Sequence, residues 1–579
     1  MVTRTIVLLA LALALVSSHA LAATVRNSPV NVGTRGVSSI ASAAARVPPG
    51  APSDDGSIRD TGREQKHDAM MQKLILDLRA RRSVQAPLAP LTLPRVAGLR
   101  LGEDESGFGF KGLSNLDQAN VNMGFSVEPP DQALCVGNGY VFEGVNSAFA
   151  VYSETGRLLA GPAQANAFFG VDFSLNVSDP KCIYDAPSNR WFVTMTEYDN
   201  FFSDNHIKIA VSQTGDPTGG FLIYDIDVTN DGSDFIPGGA DCPCLGDQPL
   251  IGADANGFYV STNAFGFFSY EGAQIYALSK AALARGATVV PAVHFDQLSA
   301  LMPDIEFAFS VQPSTTPPGA RFANNTEFLA QSMGAHKAEN RLAIWAIGNT
   351  SALDGDLKLT MKLAVIPTQV YVTPVPARQK VGPTPRAEIA AIDDFSYAAD
   401  EQSLDGNDQR LSQVMYLNGA LWTAVGTAST TDGSPVRDAV AWFVLNVSNG
   451  TGGPTASVAA QGYIAGPDSS HLIYPAMAVN ASGEAAMVFT LTGPQFFPSA
   501  AFWKFGTRAI HMMAEGKAPQ DGFSAYLFGR PRWGDYSAAA VGQDGTIWMA
   551  TEMIPGGVRK RSANWGTFIG KTHRGEQDD

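Results

Sequence analysis

Charge is scarce in this 579-residue chain: Asp, Glu, Lys and Arg together make up 16% of it. Positive charge is scarcer than negative, with a formal net charge of −15, which becomes −16 if Arg4 is lost with an N-terminal signal. A nucleic-acid or anionic-lipid surface needs clustered Lys and Arg, so those partners are not expected, whereas neutral or cationic ligands are less penalised. Long apolar runs are almost absent. The one clear example, residues 6–16, is eleven residues, too short for a stable membrane span. With Arg4 before it and Ala20-Leu21-Ala22 after it, the run reads as a cleaved signal over residues 1–22. The mature protein is then expected to be exported, secreted or periplasmic, and without a membrane span. No Cys follows the cut site, which argues against a lipoprotein anchor.

Several catalytic signatures are missing: a zinc-protease His-Glu-x-x-His, a Gly-x-Ser-x-Gly elbow, a phosphate-binding Gly-rich loop and a haem-binding Cys-x-x-Cys-His. Cysteine is limited to Cys135, Cys182, Cys242 and Cys244. Export favours disulfides over a zinc or redox site, since the Cys-x-Cys pair has no nearby His. Cys135 and Cys182 follow the openings of successive hairpins and suit neighbouring strands, although either could pair with the Cys-Pro-Cys unit.

What the chain does have is a phrase repeated six times. In its clearest form, Asp535 opens a small apolar run, Gly545 marks a turn, and a β-branched and aromatic strand ends at Glu552. Echoes open at Asp131, Asp179, Asp247, Arg410 and Tyr474, with turns at Gly139, Asn189, Gly257, Gly419 and Gly483. A degenerate copy pairs residues 307–311 with 327–331. Hairpins recurring at roughly 50- to 70-residue spacing, each followed by further strands, predict a β-propeller. The expected fold is all-β, with seven four-stranded blades over residues 112–572 and six or eight as alternatives. A tail follows at 573–579. Residues 23–111 read as a low-complexity leader, without regular structure over 23–62 and with one short amphipathic helix over 64–82. The Pro-rich stretch 365–394 reads as a surface insertion.

Propeller geometry places the opening residues Asp131, Asp179, Asp247, Arg410, Tyr474 and Asp535 around one mouth of a central channel. Closing residues Glu143, Glu197, Asn263 and Glu552 are expected at the same face. Two carboxylate pairs result, Asp179 with Glu197 and Asp535 with Glu552, the residue type and number used in glycoside hydrolysis. An Asp at a strand entrance equally accepts backbone N–H groups from the preceding loop. Arg532, Trp533 and Tyr536 could grip and stack a sugar, or could form an inter-blade ion pair and packing. His471 with Tyr474 offers a base and an acid for a lyase, though packed His is the commoner outcome. Asp227, Asp231 and Asp234 alternate as in a calcium loop, but Gly238 stands where the bidentate Glu belongs, as in an ordinary Asx-rich turn.

The segments Asp179-Pro-Lys-Cys-Ile-Tyr-Asp185, Asn189-Arg190-Trp191 and 211–219 resemble secreted bacterial sialidase-like propellers. So do Arg532-Trp-Gly-Asp-Tyr-Ser537 and Asn564-Trp-Gly-Thr-Phe568, and the resemblance spans roughly residues 115–570. It implies the propeller fold and export. Only Asp544-Gly-Thr-Ile-Trp548 approaches a sialidase box, and it lacks the Ser. The functional expectation is an exported propeller that meets a polysaccharide or cell-surface glycan at the channel mouth, as a hydrolase or lyase. The alternative is a non-catalytic glycan- or protein-binding, envelope-associated propeller.

Overall fold

The structure is a computed structural model. It describes residues 26–46, 92–102, 109–199, 204–230, 242–266, 270–296, 298, 302, 307–333, 338–384, 403–431, 435–522, 524, 530–557 and 563–572. It is nearly all β. Antiparallel four-strand meanders follow one another along the chain. In the first, Ala133–Gly137, Tyr140–Val145, Ala148–Ser153 and Leu158–Gln164 pair in order. The next two run from Asn176–Asp185 to Phe221–Asp227 and from Leu245–Ala253 to Val289–Asp296. Then come Gln312–Thr315 to Thr360–Val372, Val414–Leu417 to Gly453–Ala465, and His471–Val479 to Ala509–Ala514. The last meander takes three strands from the C-terminus, Ala538–Val541, Ile547–Met553 and Gly566–Lys571. Its fourth strand, Gly109–Ser114, comes from the other end of the chain. First strands of most of these meanders wall one axial cavity. This radial array is the architecture of a β-propeller.

The hairpins form where the sequence places its turn residues. Gly139, Gly419, Gly483 and Gly545 have positive φ, as does Asn189, the conformation that tight hairpin turns demand. The strands between them bury almost every side chain, because each sheet is covered on both faces by its neighbours. Cys135–Cys182 joins two adjacent first strands and spans 47 residues. In the chain-entropy account such a link stabilises the fold by about 4 kcal/mol. Cys242 pairs with Cys244.

Three expectations are revised. Arg26–Ser38, read as irregular from its composition, is a 13-residue strand lying between the outer strands Phe221–Asp227 and Val289–Asp296. Two open sheet edges supply its hydrogen bonds and Val32 is buried there, so the ordering force is tertiary. Residues 365–372 belong to the strand Thr360–Val372, with Pro367 next to a register shift where a missing N–H is tolerated. The degenerate hairpin uses Gln312–Thr315 rather than 307–311, and Phe307 and Phe309 turn aside to pack on Tyr270. The expected helix over 64–82, the signal over 1–22 and the tail 573–579 lie outside the described residues. No described helix is long and apolar enough to cross a membrane.

Candidate functional site

Successive meanders meet the axis through one local device. Asp131, Asp179, Gln248, Ser310 and Tyr474 all have φ between 47° and 58°, in the left-handed region that side chains seldom adopt. At Asp179, Gln248 and Tyr474 the strand pairing slips between residues 178 and 181, 247 and 250, and 473 and 476. A bulge of this kind re-aims a side chain. Gly534 serves the last meander with φ 94°, and a Cβ there would stand 3.2 Å from Asp131 Oδ1. The third meander places Gln248, not Asp247, in the strained position. Asp247 stands beside it, half-buried, where its charge acts on Arg410.

This geometry brings Asp131, Asp179 and Asp535 together, with one carboxylate oxygen of each within 4.8 Å of the others. The Asp535 N–H donates to Asp131 Oδ1 at 2.6 Å. Asn146 bridges the other two, donating to Asp131 Oδ2 at 2.8 Å and accepting the Asp179 N–H at 2.8 Å. Arg532 Nη2 and Asn407 Nδ2 each donate to Asp535 Oδ1 at 3.1 Å. Arg410 forks onto Asp408 at 2.8 Å through both nitrogens, donates to Gln248 Oε1 at 2.8 Å, and stands 3.9 Å from Asp535. Bidentate pairing of this sort holds the guanidinium in one plane. Burial pushes the Asp131 carboxyl up to about 7, Asp535 adds to the rise, and Arg532 with the Asp535 and Asn146 hydrogen bonds opposes it.

Three carboxylate oxygens at this spacing could share one divalent cation. Charge balance argues against it, because the Arg410 and Arg532 guanidinium groups already supply positive charge at the same point. We therefore describe the cluster as an ion network. Of the candidate calcium loop, Asp227 Oδ1 accepts the Thr229 N–H at 2.9 Å in an Asx turn, while Asp231 and Asp234 lie outside the described residues.

The remaining candidates fall in several places. Glu197 lies opposite Val177 and meets Lys208 at 2.5 Å across its own sheet. Glu552 is 1% exposed, neither of its oxygens meets a hydrogen-bond donor among the described residues, and burial pushes its carboxyl well above the usual range. Its Oε2 would lie 3.9 Å from a Cβ on Gly534, on the residue that also touches Asp131. Trp533 is buried and donates its indole N–H to Thr490 Oγ1 at 2.9 Å. Tyr536 is buried and donates to the Pro180 carbonyl at 2.9 Å. Neither ring offers a face to solvent. Tyr474 donates to the Asp405 carbonyl at 3.0 Å, while His471 Nδ1 meets Asp438 Oδ2 at 3.0 Å, so the two have separate partners. Glu143 accepts from Leu113 N–H at 2.9 Å and from Thr567, pinning the closing strand Gly109–Ser114. Asn263 accepts the Ser310 N–H at 2.8 Å.

Sequence reasoning passed over Lys181, Asn146 and Gln248, and read Asn407 and Asp408 only as part of a weak acidic stretch. Only Lys181 carried a signal, standing two residues after an opening Asp.

No family model matches the chain, and no curated protein matches it. Among solved structures, a Hadza microbial sialidase is 10% identical, with 75% of this chain and 73% of that one covered and a TM-score of 0.35. An exo-β-1,3-galactanase from Clostridium thermocellum is 11% identical, covering 70% and 78% of the two chains at a TM-score of 0.30. A fungal alcohol oxidase of the AA5 family, in complex with copper, is 11% identical, covering 75% and 68% at 0.30. Similarity at this level assigns neither an activity nor a substrate.

Proposed function

We propose that the chain is an exported, seven-bladed β-propeller that binds and hydrolyses a polysaccharide at its channel mouth. The observation that carries the reading is the convergence of Asp131, Asp179 and Asp535 within 4.8 Å, each delivered by a different meander. Carboxyl groups about 5 Å apart suit retaining glycoside hydrolysis. Asp131, held up to about 7 by burial, is the acid that protonates the leaving oxygen. Asp535, ion-paired with Arg532 and the least buried of the three, is the carboxylate that attacks the anomeric carbon. Asn146 and Asn407 fix the two groups and supply amide edges suited to sugar hydroxyls. The successive meanders, with Gly109–Ser114 closing the last, support the seven-blade reading. Signal cleavage near Ala22 would leave the strand Arg26–Ser38 intact.

The test is incubation of the mature protein with neutral, sialylated and uronic-acid polysaccharides, with mass spectrometry of new ends. Products that have gained water support the reading, with Asp131→Asn and Asp535→Asn expected to lose on the order of 10²-fold or more in rate. Unsaturated products would point to a lyase instead. A second reading, a binding propeller without catalysis, draws on the near-complete internal pairing of the Asp131, Asp535 and Arg410 side chains. Retention of a polysaccharide without cleavage would select it. Neither cleavage nor retention would sink the carbohydrate reading.

A further inference from the structure

The chain runs from each mouth carboxylate straight into the wall of the axial cavity. Gln132 follows Asp131, Lys181 and Ser537 stand two residues after Asp179 and Asp535, and all three line that wall. The cavity holds ≈ 800 Å³ of empty space, counting the part open to solvent, within the size range of small-molecule pockets. Among the described residues its wall carries no carboxylate and one cation, Lys181, whose Nζ sits over the Tyr536 ring, 2.7 Å from the centroid. Much of the remaining wall is apolar, Met415 included.

Three glutamines stand on this wall. The inner strands Ala133–Gly137, Asn176–Asp185, Leu245–Ala253 and Ala538–Val541 each end their sheet, so the edges they turn to the axis carry backbone groups that no strand pairs. Two of the glutamines serve such edges. Gln413 Nε2 donates to the Ala539 carbonyl at 2.7 Å and its Oε1 accepts the Ala539 N–H at 3.2 Å, while Gln312 Nε2 donates to the Ile251 carbonyl at 3.1 Å. Gln132 does neither. It is 2% exposed and makes no hydrogen bond with any described residue, yet its amide is not sealed in protein as the Glu552 carboxyl is. A polar group buried this deeply costs stability unless a ligand or water meets it.

We propose that the axial cavity is a binding site for a small neutral sugar of one or two rings, gripped by Gln132. An amide offers a donor and an acceptor side by side, which two adjacent sugar hydroxyls complement. The unpaired strand edges supply further donors and acceptors, and the apolar wall around Met415 suits the C–H face of a ring. A charged ligand finds no counter-ion, because Arg410 and Arg532 are engaged by Asp408 and Asp535 and Lys181 by its ring. The choice of a sugar rests on the proposed glycan activity: a ring released at the carboxylates stands at the head of this cavity, where it is retained as an inhibiting product.

The experiment titrates the intact mature protein with glucose, galactose, xylose and cellobiose, with glucuronate as the charged control, by ligand-observed NMR. At least one neutral sugar should saturate, and glucuronate should bind about tenfold or more weakly. Gln132→Leu should weaken the neutral sugar about tenfold, the worth of two hydrogen bonds. In wild type the bound sugar should also slow amide exchange over residues 132–137 and 538–541, a readout that needs no variant. The proposal is overturned if none of the four sugars saturates, if glucuronate binds as tightly, if protection falls only elsewhere, or if folded Gln132→Leu binds as wild type does. Polysaccharide cleavage without free-sugar binding defeats the cavity site and leaves the hydrolase reading standing. Sugar binding that depends on Gln132, without cleavage of any polysaccharide, does the reverse.

Discussion

Two charged clusters in this molecule are built from the same residue types and behave in opposite ways. The first is a ladder on one meander, where Lys208 joins Glu197 at 2.5 Å to Asp225 at 2.9 Å, and His206 meets Asp225 at 3.1 Å. The second is the channel mouth. In the ladder, strand pairing sets Lys208 opposite Asp225 and His206 opposite Glu197, so each charge finds an opposite one on the next strand. Burial disfavours these charges too, but the partners win: Asp225 falls to about 2 and His206 rises to about 9. At the mouth burial wins over the partners, leaving Asp131 and Lys181 both near 7. Asp225 and His206 are therefore charged across the whole neutral range, which suits a structural tie. The mouth holds groups close to their midpoints, which suits proton transfer.

The largest expected effect breaks the mouth. Arg410→Ala leaves Asp408 buried without its guanidinium and Asp535 with Arg532 alone, and should cost about 3–5 kcal/mol in a urea titration. Lys208→Met asks the same of the ladder, where Glu197 and Asp225 would face each other uncompensated. Asp225 keeps His206 and Arg35, so about 2–3 kcal/mol is expected in the same titration.

A pH series sharpens the contrast. Asp131 titrates near 3.8 when unfolded and near 7 when folded, so its contribution declines as pH rises from about 4 to 7. Asp131→Asn should therefore gain stability relative to wild type over that window, read as a change in the difference between their melting temperatures. His206 has the opposite shift in charge type, from 6.5 to about 9, so its contribution is complete below 6.5 and lost as pH climbs through 9. His206→Gln should accordingly be most destabilised below pH 6.5 and approach wild type above 9. An Asp131→Asn difference independent of pH would erase the distinction between the clusters. The smallest effect is Arg35→Ala: with its side chain 65% exposed, Arg35 should contribute no more than about 0.5 kcal/mol to Asp225.

The gathering of Asp131, Asp179 and Asp535 was legible because each opens a hairpin whose turn is marked by Gly or Asn, and a radial array sends all such openings to one axis. The partners were not legible in the same way. Asp535 meets Asp131 across 404 residues and Gln248 meets Arg410 across 162, separations at which no local pattern speaks. The pairing of Asp179 with Glu197 failed to form for a local reason: Glu197 lies on a regular strand opposite Val177, and its side chain runs to Lys208 on the next strand. Trp533 and Tyr536 look like sugar platforms in a sequence, but both are inside: Trp533 packs in the apolar cluster of the first and last meanders, and Tyr536 reaches the Pro180 carbonyl of the second.

By itself the sequence determined the hairpins, their turns and the approximate spacing of the strands, since apolar alternation and left-handed turn residues act over a few positions. Tertiary structure decided the rest. It recruited Arg26–Ser38 into two open edges and closed the ring with Gly109–Ser114. It also chose Cys135–Cys182 and set Lys181 free beside three carboxylates. Each of those outcomes depends on which surfaces meet after distant segments assemble, and burial at that meeting sets the protonation of Asp131 and Lys181.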